Sequence, residues 1–209
     1  VSSDKKHRFG QNWMTEHVND SYVKKAKKAG YRARSAFKLE EIDKRDRLLR
    51  PGMNVVDLGA APGSWCQYAR TRLGKKDHLI AVDLLPVDPI EGVDFIQGDF
   101  TEDKIRSQLV EMMGGRGADL VLSDMAPNIS GIALADQARS IGLAEGVLDW
   151  SRTVLVADGT LLMKVFQGSG FDQLRQELLM AFRSVASRKP DASRSRSSEV
   201  FLLARGFKG

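Results

Sequence analysis

The chain has 209 residues, of which 42% are hydrophobic and 28% charged, with 19 glycines, 6 prolines and one cysteine. These proportions describe a globular domain that buries roughly 70–75% of its unfolded surface, and they exclude collagen-like, disordered and disulfide-stapled classes. The net charge of +5 comes from one quarter of the chain: residues 1–50 hold 14 Lys and Arg against 7 Asp and Glu, while residues 51–209 hold 18 against 20.

Cys66 stands alone and the three histidines are far apart, so neither an intramolecular disulfide nor a zinc-type ligand set is expected, and no metal is implied. No apolar run reaches the roughly 20 residues of a bilayer span. The charged start of the chain lacks the apolar stretch of a signal peptide. The expectation is a cytoplasmic protein without membrane contact, with a monomer as the simplest state.

In chain order, residues 20–29 read as a basic helix, with Asp20 or Ser21 as N-cap and Gly30 as stop. Lys24, Lys25, Lys27 and Lys28 lie on it, and Arg32 and Arg34 follow. Such a cluster suits a polyanion such as RNA, or else is a solvated helix face. Trp13, Tyr22, Tyr31 and Phe37 lie among these cations, where they either stack on bases or anchor the arm to the core. Residues 35–48 read as a second helix, capped by Ser35. Pro51-Gly52 then marks a boundary, giving a basic helical extension over 1–50 and a main domain over 51–209.

From there short apolar runs alternate with helical stretches. The runs are Met53–Leu58, Leu79–Asp83, Val93–Gln97, Leu120–Ser123 and Thr160–Phe166, and the helices lie near 64–73, 102–113, 137–156 and 171–182. This rhythm predicts an α/β fold, a doubly wound and mainly parallel sheet covered on both faces. Residues 183–196 read as a second basic stretch, a polar loop carrying Arg188, Lys189, Arg194 and Arg196. Val200–Ala204 follows it without an intervening helix and is expected as an antiparallel addition to the sheet.

The first strand ends in a small-residue turn, Gly59-Ala-Ala-Pro-Gly63, that opens a helix and lets a ligand approach the backbone. Its spacing is neither the dinucleotide fingerprint nor a phosphate loop, and Pro62 removes a donor that a diphosphate cradle would use. Asp83, Asp99 and Asp124 fall at the carboxyl ends of three strands, the edge at which open parallel sheets bind ligands. Each alone reads equally as a helix cap. Together with the turn they suit an adenosine-bearing cofactor without pyrophosphate, of which S-adenosylmethionine is the obvious case. Gly59, Gly63, Trp65, Asp83, Asp99 and Asp124 are the candidate cofactor-binding residues.

The strings Asp57-Leu-Gly-Ala-Ala-Pro-Gly-Ser-Trp65, Asp83-Leu-Leu-Pro86, Gly98-Asp-Phe100, Ser123-Asp-Met-Ala-Pro-Asn128 and Lys164-Val-Phe-Gln-Gly168 closely resemble the FtsJ/RrmJ-type ribosomal RNA 2′-O-ribose methyltransferases. Arg34-Ser-Ala-Phe-Lys38 and the segment from Arg188-Lys-Pro190 through Glu199 match as well, so the resemblance covers roughly residues 10–207. It implies a seven-stranded, Rossmann-like class I methyltransferase fold. It also implies a catalytic Lys-Asp-Lys-Glu tetrad at Lys38, Asp124, Lys164 and Glu199. The implied donor is S-adenosylmethionine, leaving S-adenosylhomocysteine. The implied acceptor is a uridine ribose of the 23S rRNA A-loop in the assembled 50S subunit; relatives methylate tRNA, which stays open as an alternative, as does a non-catalytic assembly factor. One departure is Ser64, where some relatives have glycine.

Two of the four residues stand out without the resemblance. Lys164 interrupts the apolar run Leu161–Phe166, and Asp124 closes a strand. Lys38 alone would read as a surface lysine, and Glu199 as an edge carboxylate. Lys164 either accepts the proton of the 2′-hydroxyl, which requires its pKa to fall from about 10.4, or stays charged and anchors the oxygen. Lys24, Lys25, Lys27, Lys28, Arg32, Arg34, Arg194 and Arg196 are the candidate RNA-binding cations.

Overall fold

The computed structural model describes residues 20–128, 130–194 and 197–209; Trp13 and Arg196 lie outside the described residues. Two helices come first, α1 (Ser21–Ala29) and α2 (Ala36–Asp46). Asp20 caps α1 by accepting from the N–H groups of Tyr22 and Val23, and Gly30 ends it in the left-handed conformation. Ser35 takes the N-cap position of α2, but its hydroxyl makes no cap bond; it pairs instead with the Ser64 hydroxyl at 2.6 Å. The main unit then runs β1 (Val55–Leu58), α3 (Ser64–Arg72), β2 (Leu79–Asp83), β3 (Asp94–Gln97), α4 (Asp103–Met112) and β4 (Ala118–Ser123). It continues through α5 (Ala133–Val154), β5 (Leu155–Phe166), α6 (Phe171–Ala181), β6 (Phe182–Arg188) and β7 (Glu199–Phe207).

All seven strands form one sheet, in the order β3-β2-β1-β4-β5-β7-β6. The pairs from β3 to β5 are parallel, and β7 is antiparallel to both of its neighbours. The central strands are continuous apolar runs because both faces are covered. Strand alternation divides their side chains. Val56, Leu58, Val121, Leu161 and Met163 pack with Leu109, Leu148 and Leu174 of α4, α5 and α6. Val55, Leu120, Leu122, Leu162 and Phe201 pack on the other face with Leu39 and Ile42 of α2 and Trp65 of α3.

One strand lies where a loop was expected. Phe182–Arg188 is β6, and β7 is inserted between it and β5 instead of closing the sheet edge. β6 carries two arginines and two serines because only Phe182 and Val185 are buried, as an edge position allows. Helix α5 also begins earlier than its periodicity indicated. Ile132 and Leu134 at its start are 65% and 77% exposed, so the first turn carries no amphipathic signal.

Candidate active site

Every strand end that matters for chemistry lies on one edge of the sheet. β1 leads into the Gly59–Gly63 turn, where Gly59 has φ +79°. A β-carbon on Gly59 would stand 2.5 Å from Met125 Cγ, so only glycine lets the segment after β4 pass this close. A cavity of about 510 Å³ opens between the turn and the ends of β2, β3 and β4. Gly59, Asp83, Asp99 and Asp124 line it, together with Met125 and Asn128.

Two of these carboxylates also organise their own loops. Asp83 accepts from the N–H groups of Ala61 and Leu85, both at 2.8 Å. Asp99 accepts the Thr101 hydroxyl and N–H at 2.7 and 2.8 Å, and these two bonds hold it below the usual carboxylate range. The cap reading holds at Asp99 and does not exclude the ligand reading, because a carboxylate has more lone pairs than the turn uses. A wall bearing carboxylates fits a ligand rich in hydroxyl and amino donors, such as an adenosine, and the turn offers no diphosphate cradle.

Gly63 and Trp65 are placed elsewhere. A side chain on Gly63 would strike Arg32 Nη1 and Ile90 Cδ1, so this glycine faces away from the cavity. Trp65 is buried beneath the turn, where its indole N–H donates to the Ser35 carbonyl at 2.8 Å and its ring lies 5.7 Å from that of Phe201. It supports the turn as a core residue, since a large ring two residues into α3 points into the apolar layer below.

Sequence inspection passed over Asp57. It is fully buried within β1 and accepts the Cys66 thiol at 3.1 Å, and its Oδ1 has no hydrogen-bond partner among the described residues. Burial raises its pKa to about 7, and the nearby Asp124 and Asp83 add to the effect. Burial and the adjacent Asp57 carboxyl likewise push the Cys66 thiol up, so Cys66 is a packed group and not a nucleophile. The available signal was an acidic residue within an otherwise apolar strand.

Lys38, Asp124, Lys164 and Glu199 come from four elements and share one face. Asp124 continues the parity of Leu120 and Leu122, Lys164 that of Leu162, and Glu199 that of Phe201 and Leu203; all of these apolar residues face α2, which carries Lys38. Lys38 Nζ lies 2.7 Å from Glu199 Oε1. Lys164 Nζ lies 3.0 Å from Asp124 Oδ1, but its hydrogen bond goes to the Asp124 carbonyl, which leaves Oδ1 with a charge contact alone. Burial pushes Glu199 up, yet the Lys38 charge and hydrogen bond, the Ser193 hydroxyl at 2.8 Å and the Lys164 charge together hold it below its ordinary value. Glu199 is therefore an anion at neutral pH, and two carboxylates pair with two lysines in a cluster that reaches the cavity through Asp124.

The FtsJ-like methyltransferase model matches residues 31–207. This chain belongs to that family. It is 58% identical over 199 residues to ribosomal RNA large subunit methyltransferase E of Azoarcus sp. strain BH72, covering 95% of this chain and 97% of the relative. The protein of the same name from Burkholderia ambifaria is 52% identical, over 97% and 98% of the two chains. Among solved structures, a ribosomal RNA methyltransferase from Plasmodium falciparum superposes with a TM-score of 0.76 at 29% identity, over 86% of this chain and all of that one. A hemolysin from Streptococcus thermophilus shares the fold alone, with a TM-score of 0.60 at 16% identity.

In this FtsJ-like chain the basic flank divides into two groups. Lys24, Lys25, Lys27, Lys28 and Arg194 are exposed, although Lys25 also lies over the Phe37 ring at 4.3 Å. Arg32 instead donates to three carbonyls, those of Pro62, Asp88 and Pro89, and so clamps the Gly-rich turn to the segment after β2. Arg34 pairs with Asp20 and donates to the Ala192 carbonyl, tying α1 to the loop before β7. Arg188 makes a two-point pair with Asp46, at 2.7 and 2.6 Å, and Lys189 donates to the carbonyls of Ser197 and Glu199. These four cations are committed to the fold. Tyr22 and Tyr31 pack on Phe37, with centroids 5.8 and 5.6 Å away, and serve as anchors. Among the described residues no helix is long and apolar enough to cross a membrane.

Proposed function

We propose that this chain transfers the methyl group of S-adenosylmethionine to the 2′-hydroxyl of a ribose in large-subunit rRNA. The acceptor in this reading is a uridine of the A-loop, within the assembled 50S subunit. The observation that carries it is the double pairing of Lys38 with Glu199 and of Lys164 with Asp124, the last of which also lines a cavity with acidic walls. The names of the relatives support the choice of rRNA. Residues 1–50 act here as the RNA-contacting extension of the methyltransferase domain over 51–209.

In this reading Gly59, Asp83, Asp99 and Asp124 hold the donor, whose sulfonium supplies an already activated methyl group. What remains for the protein is alignment and the handling of one proton. Holding two reactants in line can contribute about 7–11 kcal/mol, and general base help about 10²–10⁴-fold. Asp124 and Glu199 fix the two ammonium groups in place. Lys164, buried against Asp124, steers the 2′-oxygen and receives its proton once its own has been shed. Lys24, Lys27, Lys28 and Arg194 contact the RNA backbone.

The test is incubation with labelled S-adenosylmethionine and, separately, large subunits, naked rRNA and tRNA from a strain lacking the enzyme, followed by mapping of the methylated ribose. Label on one rRNA ribose, absent with Lys164→Ala, is the expected result. Label on tRNA would overturn the substrate and keep the chemistry. Donor binding without transfer to any acceptor would favour an assembly factor.

A further inference from the structure

We propose that a second cavity beside the Lys-Asp-Lys-Glu cluster seats the base of the acceptor nucleotide, and that Gln137 reads its ring N–H. This inference rests on the reading that the acceptor is a ribose 2′-hydroxyl. The cavity measures about 250 Å³, and its walls include Ala126, Pro127, Ala133, Gln137, Phe166 and Ser198. Three of these residues continue the elements that carry the cluster. Ala126 lies two residues beyond Asp124, Phe166 two beyond Lys164, and Ser198 directly before Glu199. Phe166 also faces Glu199 in the β5–β7 register.

Ala126 and Pro127 line the larger cavity too, so the two spaces adjoin across this short segment. A ribose held at the cluster, with a methyl donor on one side, has this space for its base on the other. A base takes such a place only by leaving its stack, and an apolar ring such as Phe166 replaces part of the stacking it gives up.

Asp136, Gln137, Ser140 and Ser198 supply the polar atoms of this cavity; Asp136 already accepts from Ser130 and Gly131, and Gln137 is the one amide among them. Its Nε2 donates to the carbonyls of Phe166 and Ser169, at 3.3 and 3.0 Å. Two carbonyl oxygens can face only the NH₂ end of an amide, so the orientation of the group is determined. Its Oε1 receives no hydrogen bond from the described residues. A β-carbon on Gly168 would lie 2.8 Å from Gln137 Cδ, so the glycine leaves room for the amide to lie flat. Gln137 therefore supplies this wall with an amide whose orientation is fixed by two hydrogen bonds and whose oxygen is left to accept. Uracil and guanine carry a ring N–H on their pairing edge that Oε1 can accept, whereas cytosine and adenine place a bare ring nitrogen there and can reach Oε1 only through their exocyclic amine. Of the two bases with a ring N–H, uracil is the one carried by the acceptor proposed above.

The experiment uses the full chain, labelled S-adenosylmethionine, and large subunits from a strain lacking the enzyme. The subunits carry at the mapped acceptor position either the natural base or the other pyrimidine, introduced in the rRNA gene. The expected acceptor is uridine, with kcat/KM at least ~10-fold above that for cytidine, and Gln137→Ala brings the ratio to within about twofold. Binding of S-adenosylhomocysteine by Gln137→Ala stays at the wild-type level and reports an intact fold. Ala133→Trp, at an exposed helix start, fills the cavity and raises KM for the subunits without changing that binding. A mapped acceptor lacking a ring N–H, an undiminished ratio in Gln137→Ala, or indifference to Ala133→Trp would each overturn the proposal. If the wild-type chain labels no acceptor, the reading beneath it falls as well; if it labels one and Gln137→Ala keeps the ratio, only this inference falls.

Discussion

The charged residues form two populations, one folded into the molecule and one left in water. Arg32, Arg34 and Arg188 each satisfy two or more acceptors at once. Lys24, Lys27, Lys28 and Arg194 reach outward. A planar guanidinium with five donors can hold several carbonyls in one geometry, while an ammonium on a flexible stem keeps its hydration more readily. The same kind of charge thus serves two purposes in adjacent stretches of chain. The lysines at the cluster, Lys38 and Lys164, cross to the buried side because each has a carboxylate waiting for it.

The comparison breaks first at Lys164. Replacing it with alanine is expected to lower methyl transfer by about 10²–10⁴-fold, measured in single turnovers on large subunits. Lys164→Arg keeps the charge and loses the base. Near-wild-type transfer with an unchanged pH profile in that variant would leave steering as its whole role.

Asp57 is the buried charge without a compensating partner. Its folded pKa of about 7 lies well above the ordinary value, so the folded state holds a proton that the unfolded chain has lost. Stability therefore falls as pH rises from about 4 to 7, by a total of about 4 kcal/mol, and is level above that. Asp57→Asn removes the penalty. Its gain in Tm over the wild type is expected to grow between pH 5 and pH 8, and an equal gain at both would contradict the assignment.

Arg188→Ala leaves Asp46 half-buried without its partner. The expected cost is about 2–4 kcal/mol, a fall in Tm of roughly 5–15 °C, with little change in the salt dependence of RNA binding. The smallest effect on the fold belongs to Lys24→Ala with Lys28→Ala. Stability is expected to hold within about 0.5 kcal/mol, while the slope of log K against log salt falls by about 0.7–0.9 for each phosphate that is no longer neutralised. An unchanged slope would move these lysines from the RNA-facing population to the merely solvated one.

Local patterns in the sequence already determined the parallel core. Apolar runs such as Leu79–Asp83 and Leu120–Ser123 admit no other burial, Asp20 and Gly30 punctuate α1 by their own chemistry, and the Gly59–Gly63 turn with Asp83 and Asp99 marks the binding edge. Strand β6 was not legible, because an edge strand carrying two arginines and two serines has the composition of a loop until a neighbour pairs with it. Nor could sequence divide the cations committed to the fold from those left in the solvent. The partners of Arg34 and Arg188, the Ala192 carbonyl and Asp46, lie 158 and 142 residues away along the chain. The same holds for Lys38 and Glu199, which become a pair only when β7 folds back beside β5 beneath α2. Spacing along the chain encodes what a residue does with near neighbours; tertiary packing alone decides which distant charge it meets, and so whether that charge works inside the molecule or in the solvent around it.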